Sequence, residues 1–66
     1  MNKREAERLA KAAIKCVGIG EPEPVADATV LFKNEDGTFS VVDNGEEVVC
    51  RSATEAERII VENLTA

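Results

Sequence analysis

Residues 28–51 read ATVLFKNEDGTFSVVDNGEEVVCR, and this stretch decides the fold. Asn34-Glu35-Asp36-Gly37 ends on a glycine suited to positive φ, and Asp43-Asn44-Gly45 contains the Asn-Gly pair favoured in two-residue hairpin loops. The runs around these turns are rich in Val, Phe and Thr, residues that fit a pleated surface. Three antiparallel strands follow: Ala28 to Lys33, Thr38 to Asp43 and Glu46 to Arg51. If both loops hold two residues, period-two alternation puts Ala28, Val30, Phe32, Phe39, Val41, Val48 and Cys50 on one face. A Gly37 bulge in the first turn would shift that register by one and turn Leu31 inward instead. Phe32 has the larger apolar surface, so the two-residue register with Phe32 inside is the expectation. The opposite face then carries Thr29, Leu31, Lys33, Ser40, Val42, Glu47, Val49 and Arg51, with Leu31, Val42 and Val49 as an aliphatic patch.

On the N-terminal side, Asn2 with Glu5 three residues on resembles a capping box, and Gly18 or Gly20 offers a helix stop. At 100° per residue, Ala6, Leu9, Ala10, Ala13 and Val17 share one side, with Ile14 at its flank. Arg4, Arg8, Lys11 and Lys15 recur at spacings of four, three and four on the opposite side. Gly18 to Pro24 is a connector whose two prolines and two glycines favour an extended path. No Lys-Ser/Thr pair completes a phosphate loop there. On the C-terminal side, Ser52-Ala53-Thr54-Glu55 is a capping box opening a second helix. Ala53, Ala56, Ile60 and Leu64 form its apolar stripe, flanked by Ile59 and Val61. Both helices need a partner, and the core face of the sheet is the one available. The expected fold is a single α+β domain over residues 1–66, two-layered and ordered α-β-β-β-α, with both helices on one face of a three-stranded meander.

That order resembles the topology of the double-stranded RNA-binding domain. Arg51-Ser52-Ala53-Thr54-Glu55-Ala56 occupies the place where that family begins its second helix, and the family grips phosphate with lysines there. Here the matching positions hold Ala53, Thr54 and Glu55, which oppose RNA contact. The resemblance therefore bears on fold, and RNA binding rests on the basic stripe of the first helix alone.

Composition narrows the chemistry. The 66 residues include two Phe, no Tyr, Trp or His, and two Cys. A chain of this size buries only about 60% of its unfolded surface, leaving little room for an internal site. Without His, the commonest general base and metal ligand is missing. Two cysteines fall short of the four ligands of a structural zinc site, so no metal or cofactor is expected without a second chain. Cys16 and Cys50 have no histidine to activate them, Cys50 faces the predicted core, and Glu46 and Glu47 flank an exposed turn. Catalysis is not expected. No apolar run approaches the roughly 20 residues of a membrane helix, and the N-terminus lacks a secretory pattern. A cytoplasmic protein with free thiols is the expectation.

The net charge of −5 is unevenly spread. Residues 1–20 hold five basic and two acidic side chains, residues 21–47 hold Lys33 against eight acidic ones, and residues 48–66 hold two against three. The acidity belongs to the connector and the turns. It argues against duplex nucleic acid as the main ligand. Two readings of that acidity stand: plain solubility, or carboxylates presented to a basic protein surface, one that normally holds nucleic acid. Small acidic phage proteins that block nucleic-acid enzymes, anti-CRISPR proteins among them, work in the second way, an analogy of size and charge that would make this a viral inhibitor. The expected function is a non-catalytic interaction module, an inhibitor or adaptor. Its candidate protein-binding residues are Glu35, Asp36, Asp43, Glu46 and Glu47 with Leu31, Val42 and Val49. The alternatives are nucleic-acid binding through Arg4, Arg8, Lys11 and Lys15, and a homodimeric assembly subunit pairing through the aliphatic patch or an edge strand.

Overall fold

A computed structural model describes all 66 residues, in the order α1 (Lys3–Cys16), β1 (Glu23–Ala26), β2 (Thr29–Lys33), β3 (Phe39–Asp43), β4 (Glu46–Cys50) and α2 (Ala53–Thr65). Both helices start where their caps place them. Asn2 Oδ1 accepts from the Glu5 N–H at 2.8 Å, and Ser52 Oγ accepts from the Glu55 N–H at 3.1 Å. The Glu55 carboxylate completes the second cap by accepting from the Arg51 N–H at 2.8 Å. No glycine ends α1: Val17 is its cap residue, with φ −64° and its N–H bonded back to the Ala13 carbonyl.

The sheet has four strands, in the antiparallel order β1-β2-β3-β4. The expected three-stranded meander is therefore one strand short. Glu23–Ala26, within and just past the proline-rich connector, pairs with β2 through Glu23↔Leu31, Pro24↔Val30 and Ala26↔Thr29, with a bulge between Pro24 and Ala26. Proline sits here at no cost to the ladder. Lys33 presents its carbonyl to Gly20, on the β1 side, so by alternation Thr29 and Leu31 bond toward β1 while Val30 does not. Pro24, opposite Val30, has its missing N–H on the open edge, where proline is tolerated. The resulting order, α-β-β-β-β-α, departs from that of the double-stranded RNA-binding domain.

The register of β2 is the second correction. Lys33 pairs with Phe39, and beyond it the Asn34 N–H bonds the Thr38 carbonyl at 2.8 Å while the Gly37 N–H bonds the Asn34 carbonyl at 3.1 Å. Gly37 lies at φ +88°. This is a three-residue loop closed by a left-handed glycine, not a two-residue loop. Its extra residue moves the side chains of β2 to opposite faces. Thr29 and Leu31 point to the helices, while Val30 and Phe32 point away. The second hairpin follows expectation: Asp43 pairs with Glu46 across Asn44 at φ 51° and Gly45 at φ 84°, the signature of a type I′ turn.

The core lies between the helix pair and one face of the sheet: Ala6, Ala10, Ala13 and Val17 from α1, Leu31, Phe39, Val41 and Cys50 from the strands, and Ala56, Ile60 and Leu64 from α2. The three alanines of α1 let α2 approach closely, and the helices pack chiefly on each other, α1 leaning on β1 and α2 on β3. Met1 and Ala66 line the same depression, so the helices run antiparallel.

Candidate functional site: the uncovered face of the sheet

No helix lies over the second face of the sheet. It carries Pro24 from β1, Val30 and Phe32 from β2, Ser40 and Val42 from β3, and Glu47 and Val49 from β4, as the cross-strand pairs Pro24↔Val30, Val30↔Val42, Phe32↔Ser40↔Val49 and Val42↔Glu47 require. Leu31, expected here, is fully buried in the core, and Lys33 and Thr29 also leave this face. Val42 and Val49 stay, and Val30 and Phe32 join them. The apolar patch is thus larger than expected and holds one of the chain's two aromatic rings. Val49 is 59% exposed, while Val30, Phe32 and Val42 are half-buried. The signal that would have revealed Phe32 is the Asn34 to Thr38 segment, where Asp36-Gly37 suits a turn with a following left-handed residue as well as it suits a two-residue loop.

Beside this patch a polar network anchors the first turn. Asn34 Nδ2 donates to Thr38 Oγ1 at 2.9 Å and to Ser40 Oγ at 3.1 Å, so the buried Ser40 hydroxyl has a partner. Asp36 accepts from the Thr38 hydroxyl at 2.7 Å and from the Thr38 N–H at 3.0 Å. These bonds, the hydroxyl's first, favour the ionised carboxyl and hold its pKa below the ordinary value.

The candidate acidic residues do not form one cluster. Glu35 and Asp36 sit at the β2–β3 turn; Asp43, Glu46 and Glu47 sit at the other end of the strands, joined by Asp27 in the β1–β2 turn. A five-residue strand separates the two groups by about 17 Å. Asp43 is half-buried and accepts from Thr29 Oγ1 at 3.1 Å. The others are exposed. Alternation places Glu47 on the uncovered face and Asp43 and Glu46 on the helix side, so the uncovered face is apolar at its centre, with carboxylates at the turns beyond both ends of its strands.

The basic row lies on the far side of the molecule. Arg4, Arg8, Lys11 and Lys15 are all exposed, on the side of α1 opposite Ala6, Ala10 and Ala13. They extend over about 17 Å of helix. Arg8 meets Glu5 at 3.5 Å, an exposed pair of small energetic weight. The shallow groove between the helices is mixed in charge, lined by Lys3, Glu7, Glu57, Arg58 and Glu62, with Val61 as its hydrophobic residue.

Both cysteines are free thiols, Cys16 exposed and Cys50 buried. Burial pushes the Cys50 thiol pKa up, the Glu55 charge adds to this, and Arg58 offsets part of it. No group of three or more Cys, Asp or Glu side chains is placed to hold a metal ion. No helix is long and apolar enough to cross a membrane. Comparison of the chain with protein-family models, with curated proteins and with solved structures returns no match.

Proposed function

We propose that the protein is a non-catalytic interaction module, an inhibitor or adaptor, that docks the uncovered face of its sheet onto a partner protein. The observation that carries this reading is the outward orientation of Phe32 with Val30, Val42 and Val49, an apolar centre with carboxylates at both ends. Protein interfaces commonly combine such a centre with a polar rim, and aromatic residues are enriched at their cores. Four strands about 4.8 Å apart and about 17 Å long present only about 300 Å² in plan. A stable interface buries about 800 Å² per partner, so the turn carboxylates must share in it. The partner surface is therefore apolar at its centre and basic at its edges.

Affinity capture from the source cell with three baits tests this. Phe32→Ser combined with Val42→Ser removes the apolar centre, and charge reversal at Glu35, Asp36, Glu46 and Glu47 removes the rim. Both variants lose the partner held by the wild-type bait while retaining its circular dichroism. Equal capture by a folded variant of either kind contradicts the part of the surface it alters. Turnover of any substrate by the purified protein contradicts the non-catalytic reading.

A second reading, nucleic-acid binding, is favoured by one feature: Arg4, Arg8, Lys11 and Lys15 form an exposed row along one side of α1. Four phosphate contacts on a duplex give a slope of about −3.6 in log affinity against log salt. Titration with RNA and DNA decides it. Absence of binding at low salt, or binding insensitive to salt, removes this reading.

A further inference from the structure

The two edges of the sheet are built differently. β1 is four residues long, interrupted by a bulge, carries Pro24 and packs beside α1. These devices discourage strand addition. β4 is five residues long, without proline or bulge, and no strand lies beyond it. Val48 and Val49 on it are 44% and 59% exposed.

The direction of the free backbone groups follows from the ladder. The Asn34–Thr38 bond and the Asn44 N–H to Ala28 carbonyl bond, at 3.3 Å, fix which residues of β2 and β3 face each other, so Phe39, Val41 and Asp43 bond toward β4. Their partners Cys50, Val48 and Glu46 answer them. The N–H and C=O groups of Glu47 and Val49 therefore point out of the sheet. The Arg51 N–H, next in this alternation, is bonded to the Glu55 carboxylate, which closes the free row.

We propose that a second copy of this chain docks on the β4 edge across a two-fold axis, continuing the antiparallel sheet with Val49 opposite the partner's Val49 and Glu47 opposite the partner's Arg51. A two-fold axis normal to the sheet keeps each face continuous, so Glu47, Val49 and Arg51, the last one residue past β4 at the next position of this alternation, pair only with one another. Centring the pair on Glu47 would set like charges opposite each other. Centring it on Val48 would set each Glu47 against a valine. Centring it on Val49 gives two opposite-charge pairs, Glu47 with the partner's Arg51 and the reverse, flanking a valine pair on the uncovered face. On the helix side, Val48 falls at the register position opposite the partner's Cys50, whose side chain stays buried in its own core. The Val49 pair exchanges two backbone hydrogen bonds, and each Glu47 N–H falls opposite the partner's Arg51 carbonyl. Charge complementarity thus selects one occupant and one register.

The inference is independent of any other partner, because its test uses purified protein alone. Light scattering over a concentration series gives a mass that rises from 7.1 kDa toward twice that value. E47R alone and R51E alone each place like charges opposite one another and weaken dimerisation about tenfold or more. Mixed in equal amounts, they pair as a heterodimer, because each Arg then meets a Glu. Val49→Pro removes an N–H that points to solvent in the monomer, so it keeps the monomer's circular dichroism and abolishes the dimer. A wild-type mass fixed at 7.1 kDa up to millimolar concentration overturns the proposal. So does a mixture of the two charge variants that dimerises no better than either alone.

Discussion

Leu31 and Phe32 are neighbours with opposite duties, and their substitution energies separate them. Leu31 is fully buried, so Leu31→Ala lowers unfolding free energy by about 3 kcal/mol through lost contacts and a residual cavity. Phe32→Ser, on the uncovered face, costs about 1 kcal/mol or less by the behaviour of surface sites. Urea unfolding of the two variants measures the difference, and a reversed order contradicts the register. The thiols divide likewise: at pH 8 an alkylating reagent modifies exposed Cys16, while buried Cys50, its thiol pushed up, reacts only after denaturation. Mass spectrometry of the labelled peptides reads this directly. Asp36 carries a pH dependence. Its carboxyl titrates lower in the folded chain than in the unfolded one, so its contribution to stability is present above the unfolded value and is lost as pH falls through the folded value. Proton-detected titration shows a depressed midpoint for Asp36, and Thr38→Val, which removes the hydroxyl donor, raises it.

The elements differ in how plainly their residues announce them. Both helices, their side-chain caps and their buried stripes could be read directly, because capping and 3.6-residue periodicity are local. Ser52→Ala therefore lowers stability by about 1 kcal/mol, measured by the same unfolding assay. The Asn44-Gly45 hairpin was equally plain, since two successive positive φ angles demand those residue types. The Asn34 to Thr38 turn was not, because its residues suit loops of two or three, and the choice depends on the whole strand fitting the core. Leu31 fills the space under the helices, and the larger Phe32 is left outside. β1 was hidden by its prolines, which mark a break in any strand except one whose N–H faces solvent. For the candidate site the consequence is concrete: Val42, Val49 and the turn carboxylates could be named beforehand, whereas Val30 and Phe32 depend on a register that one loop residue decides.

At the scale of the molecule, the thinnest dimension is 17 Å, room for one sheet and one helix layer and no more. Every strand residue therefore faces either the helices or the outside, and an apolar row on the second face has nothing within the chain to cover it. Charge is segregated as well, with the basic row on the outer side of α1 and carboxylates at both ends of the strands. This makes the uncovered face and the basic row two separable surfaces. The most direct measurement is an NMR titration of the isotopically labelled protein with its captured partner, read at backbone amides as well as at methyl groups and aromatic rings. The predicted result is perturbation concentrated on Val30, Phe32, Val42 and Val49. Perturbation confined to Arg4, Arg8, Lys11 and Lys15, with the uncovered face unchanged, would contradict the account.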